Sequence, residues 1–117
     1  FETERRRFAL ADVLHEKLPA VDLIMCRDCI QHLSDTDVKA FINRVKESGS
    51  RFLLISNYPL IDKNNDILES DMHKTSRITY RNLTKEPFNF SAPILELAEG
   101  FDNKTLSLWR ISDLPAF

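Results

Sequence analysis

The residues best suited to chemistry lie within Cys26–His32: two cysteines, an aspartate, a histidine and an arginine. Cys26 and Cys29 form a C-x-x-C pair. A thiol–disulfide site needs that spacing, together with a thiol whose pKa has been lowered. Adding His32 gives three candidate zinc ligands, one short of the closed tetrahedron of a structural site. The other histidines, His15 and His73, have no ligand-pair spacing, and no metal site is assigned. His32 has a side chain able to act as a base at neutral pH, and Asp28 precedes it by one helical turn's spacing. Each has an ordinary alternative. The thiols can pack as small hydrophobes, the reading favoured here. His32 can pack at a helix start, and Arg27 with Asp28 can form an ion pair without catalytic duty.

The elements around these residues are well marked. Val21–Cys26 is an apolar run of the kind found in a buried parallel strand, so Cys26–His32 falls at a strand's carboxyl end, where open α/β sheets bind ligands. Ser34 and Asp37 make a capping box, and Asp35 and Asp37 suit the positive end of a helix dipole. Val38, Phe41, Ile42 and Val45 recur on one helical face, and Gly49 is placed to end the helix in a left-handed conformation. Arg51–Asn57 is a second buried strand, stopped by Tyr58-Pro59. Strand, helix and strand form a βαβ unit with parallel strands. Upstream, Arg7–Ala11 reads as a short strand closed by Asp12, and Val13–Leu18 as a helical turn broken by Pro19. Leu60–Arg77 is polar and without period, a long loop or lid. Ile94–Glu99 and Lys104–Ile111 are two strands of an antiparallel hairpin. Tyr80, Phe88 and Phe90 either line a pocket or cover the sheet, and Trp109 reads as core.

Length and composition bound the rest. At 117 residues with 43% hydrophobic content, the chain is one small domain, or part of one, with enough apolar matter for a core. Sixteen basic against eighteen acidic residues give no electrostatic reason for a nucleic-acid partner, and Arg5-Arg6-Arg7 reads as a solvated edge. No apolar stretch approaches the ~20 residues of a membrane span. Two cysteines make no disulfide framework, so a reducing, cytoplasmic setting fits. The sequons at Asn82, Asn89 and Asn103 read as chance matches without a secretory signal.

In order and spacing these pieces resemble the C-terminal half of a class I S-adenosylmethionine-dependent methyltransferase. The matching residues are Asp12 after one strand, Asp22-Leu-Ile-Met-Cys-Arg-Asp28, Gln31-His32-Leu33, Ser48–Leu54, and Leu106–Arg110 with Ser112-Asp113-Leu114. The resemblance implies an α/β fold: a partial Rossmann-like methyltransferase sheet holding equivalents of strands three to seven, a parallel βαβ unit plus a C-terminal antiparallel hairpin. It also implies S-adenosylmethionine as cofactor. Asp12 would meet the adenine amino group and Val13 the ring, with Cys26 and Arg27 beside the sulfonium. His32 and Asp28 would be the catalytic candidates toward an unidentified methyl acceptor.

The family holds the methionine part of the cofactor on a Gly-rich loop after its first strand, where the backbone must approach closely. This chain has only Gly49 and Gly100, neither in a G-x-G context. The expectation is therefore a longer natural protein, or an incomplete and inactive domain. Two other functions remain open. One is a non-catalytic remnant serving as an interaction module, self-associating through a bare strand edge. The other is a small zinc or thiol-redox module at Cys26 and Cys29.

Overall fold

The computed structural model describes residues 3–67, 77–100 and 103–117. It is a mixed α/β fold. Strand β1 (Leu23–Cys26) leads through a 3-10 turn at Ile30–His32 into helix α1 (Asp35–Glu47). Strand β2 (Phe52–Asn57) follows, and the chain closes with β3 (Leu95–Ala98) and β4 (Thr105–Arg110). The four strands form one sheet in the order β1-β2-β4-β3. β1 pairs with β2 in parallel, Leu23 opposite Phe52 and Cys26 opposite Ile55. β4 runs antiparallel to both its neighbours, so β1, β2 and β3 share one direction.

Local chemistry accounts for the central unit. Ser34 Oγ accepts from the Asp37 N–H at 3.2 Å, satisfying one of the donors that a helix start leaves free. Val38, Phe41, Ile42 and Val45 are all buried, as their spacing predicts. Gly49 ends the helix at φ +75, in the left-handed region that favours glycine. Buried Ser50 then closes the return, accepting from the Val21 N–H at 2.9 Å and donating to the Pro19 carbonyl at 3.2 Å.

The strand register divides the sheet into two unlike faces, because paired residues point the same way and side chains alternate. Ile24, Cys26, Leu53, Ile55 and Trp109 share the face that joins the α1 residues in the core. Leu83, Phe88 and Phe90 from the segment before the hairpin complete that core. Phe90 stands edge-on to Trp109, with ring centroids 5.1 Å apart, and Trp109 Nε1 donates to the Ser91 carbonyl at 2.8 Å. The opposite face holds Leu23, Met25, Leu54, Leu95, Leu97, Leu106 and Leu108. Leu23, Met25, Leu95 and Leu97 are exposed, and the other three are half-buried.

Two expectations are corrected here. Arg7–Ala11 is not a strand. It has no pairing partner among the described residues and lies in solvent, with Leu10 103% exposed. A strand exists only against a neighbouring edge that takes its backbone hydrogen bonds, and among the described residues Arg7–Ala11 lies against none. β1 itself is apolar but not buried, since only Cys26 of its four residues is buried and Met25 is 56% exposed. Among the described residues the helical layer covers one face of the sheet only. Within the expected loop, residues 60–67 carry no helix or strand, while residues 68–76 lie outside the described residues.

Candidate functional site

At the carboxyl end of β1 the chain turns sharply. Asp28 has φ +54, an uncommon conformation for a residue with a side chain. The turn is fixed from two sides. The Asp28 N–H donates to Ser56 Oγ on β2 at 2.8 Å, and its carboxylate receives Lys104 Nζ at 2.8 Å. Arg27 reaches across to Glu99, with Nη2 at 2.6 Å and Nε at 3.1 Å from Oε2. Lys104 Nζ also lies 3.7 Å from the same oxygen. Two cations and two anions thus bind the β1 turn to the β3–β4 hairpin. The bond to Glu99 raises the Arg27 pKa further above an already high value. The ion pair foreseen between Arg27 and Asp28 is present at 3.8 Å but secondary.

A cavity of about 390 Å³ opens along β1. Val13, Leu18, Ile24, Met25 and Phe41 give it apolar walls, and Cys26, Arg27 and Cys29 line its end. Of the residues marked in the sequence, Val13, Cys26 and Arg27 therefore meet around one space. Asp12 adjoins it through Val13. Its carboxylate takes His15 Nδ1 at 2.7 Å and the Leu14 N–H at 3.0 Å, contacts that hold its pKa below the ordinary value, His15 foremost.

His32 is engaged elsewhere. Its Nδ1 donates to the Arg77 carbonyl at 3.0 Å, and Arg77 Nε donates back to the His32 carbonyl at 3.0 Å. His32 and Asp28 do not line the cavity. Among the described residues no group of three or more His, Cys, Asp or Glu side chains is placed to hold a metal.

The two cysteines are unlike each other. Cys26 is buried and Cys29 exposed, and both are free thiols, which corrects the expectation of two buried ones. Each shifts the pKa of the other. Cys26, aided by the charge of His32 and opposed by burial, lowers the Cys29 pKa to about 6. Cys29, with burial, pushes Cys26 well above the thiol range.

No family model, curated protein or solved structure matches the chain. Among the described residues no helix is long and apolar enough to cross a membrane.

Sequence reasoning missed three residues that organise this edge: Glu99, Lys104 and Arg81. Glu99 and Lys104 read as strand ends, and only their ion pairs in the folded chain show that they reach Arg27 and Asp28. Arg81 is buried and donates to the Ile30 carbonyl at 2.7 Å, the Leu33 carbonyl at 2.6 Å and Asp35 Oδ1 at 2.9 Å. Its signal was weak, one of two cations, with Lys85, in a segment anchored by Leu83, Phe88 and Phe90. Asn82 is likewise buried, and its amide donates to the Pro59 and Ile61 carbonyls.

Proposed function

We propose that this chain is the C-terminal part of a class I S-adenosylmethionine-dependent methyltransferase acting on an unidentified acceptor. The observation behind the reading is the meeting of Val13, Cys26 and Arg27 around one cavity along β1. Its volume falls within the ~300–1,000 Å³ range of small-molecule sites, and its walls are mainly apolar, as such sites are. Two features of the fold support the reading. A parallel βαβ unit continued by an antiparallel hairpin is the arrangement the resemblance implies. The second feature is the open sheet face. Parallel sheets are covered by helices on both sides, and a face of exposed leucines suits a second helical layer.

The transferred methyl group is already activated on its sulfonium, so the protein's task is proximity and alignment. Val13 would lie against the adenine ring, and Asp12 would exchange its His15 contact for the adenine amino group. Cys26 and Arg27 would border the sulfonium, with Arg27 held in place by Glu99. Asp28 and His32 would stand on the acceptor side. The test is the thermal midpoint of the chain with and without S-adenosylmethionine. Ligand at ~100 times its Kd adds about 2.7 kcal/mol, a clear upward shift, and Val13→Asp abolishes it. A cooperative melt that S-adenosylmethionine leaves unmoved overturns the proposal for this chain.

One observation favours a second reading, an interaction module. The outer edge of β1 has no neighbour among the described residues, and Leu23 and Met25 there are exposed. Concentration-dependent dimers in sedimentation velocity, with no response to S-adenosylmethionine, would select it.

A further inference from the structure

We propose that Cys26 and Cys29 form a thiol–disulfide exchange site that reacts with low-molecular-weight disulfides. The inference rests on the pair's own geometry and does not require the methyl-transfer reading. The chain reverses between the two cysteines at Asp28, whose φ of +54 is held by Ser56 Oγ on its N–H and Lys104 on its carboxylate. The pair is therefore a product of the fold as well as of C-x-x-C spacing. Both thiols line the cavity along β1, so a small reactant has a route to them.

Exposure divides the roles. Cys29 is accessible and Cys26 is buried, as attacking and resolving thiols require. The groups around Cys29 are Cys26 on β1 and His32 on the following turn. The neighbouring charges of Arg27 and Asp28 are taken up by Glu99 and Lys104. Cys26, with the charge of His32, favours the Cys29 thiolate, the nucleophilic form.

The exchange proceeds in two displacements. The Cys29 thiolate attacks one sulfur of the disulfide, so a mixed disulfide forms as the original S–S bond breaks. The first small thiol leaves as thiolate and is protonated by solvent. Cys26 then gives up its proton and attacks the Cys29 sulfur, expelling the second small thiol. One small disulfide is reduced to two thiols, and the two cysteines are oxidised to one disulfide.

Incubation with oxidised glutathione, followed by alkylation and intact-mass and peptide mapping, tests this. The wild-type chain should lose two hydrogens and show a Cys26–Cys29 crosslink that dithiothreitol reverses. Cys26→Ser should stop at a glutathione adduct on Cys29, and Cys29→Ser should remain unmodified. On wild-type chain, which avoids any folding defect of the variants, the rate of Cys29 alkylation should follow a thiolate midpoint near 6. A midpoint near the ordinary ~8.5 of free cysteine, or a folded wild-type chain that forms no internal crosslink, overturns the proposal.

Discussion

Arg81 Nε lies 2.9 Å from Asp35 Oδ1 on a side chain only 1% exposed, so a buried cation holds the first residue of α1. Burial pushes the Arg81 pKa down, and Asp35 opposes it. The other guanidinium nitrogens hold the Ile30 and Leu33 carbonyls, so one residue ties the segment before the hairpin to the turn after β1. Arg81→Met would leave Asp35 and two carbonyls without their donor. Breaking a buried pair from one side costs about 3–5 kcal/mol, and urea unfolding should show a loss of that order. Arg81→Lys keeps the charge but not the three-way fork and should recover only part of it.

Lys104 is the corresponding hub at the hairpin. It is buried between Asp28 at 2.8 Å and Glu99 at 3.7 Å. Lys104→Met would leave both carboxylates with Arg27 as their shared cation. A loss of about 3 kcal/mol is expected. The double variant Lys104→Met with Asp28→Asn should lose less than the sum of the two single changes, because the residues are in direct contact. Additive losses would show that Lys104 acts through packing alone.

The Cys29 thiol makes stability depend on pH. Its folded pKa of about 6 lies well below the ordinary ~8.5 of free cysteine. A lowered pKa contributes stability that is fully present above the unfolded value and is lost as pH falls through the folded one. Between about pH 6 and about 8.5 the contribution should therefore grow with pH. Cys26, shifted far upward by Cys29 and by burial, does not titrate in that window. Cys29→Ser should accordingly lose more stability, relative to wild type, at pH 8 than at pH 5. Equal losses in urea titrations at the two pH values would mean that the shift is absent.

The βαβ unit was legible because its signals are local. Ser34, the apolar positions of α1 and Gly49 lie within one stretch, and the structure keeps each in its expected role. Two variants measure this. Ser34→Ala removes a cap worth about 1 kcal/mol. Gly49→Ala has room, its Cβ 3.8 Å from that of Ala20, but must take φ +75, at about 1–2 kcal/mol. What the sequence hid is non-local. Arg7–Ala11 has the composition of a strand, yet pairing requires an edge that only tertiary structure provides. Glu99 and Lys104 are separated from Arg27 and Asp28 by more than half the chain, and only tertiary structure joins them.

The open sheet face gives the sharpest contrast in the fold. Leu53 and Leu97 are both strand leucines, but Leu53 is fully buried in the core and Leu97 lies exposed on the uncovered side. Leu53→Ala should cost about 2–5 kcal/mol, the transfer term plus the cavity left behind. Leu97→Lys should fall within about 0.5 kcal/mol of wild type, as surface changes do. If a second layer covers this face, whether a helical segment of a longer protein or another copy of the chain, Leu97→Lys becomes costly wherever that layer is present. Measuring both variants over a range of chain concentrations separates these cases. A cost for Leu97→Lys that rises with concentration identifies a second copy as the cover, and a constant small cost leaves the face open in the isolated chain.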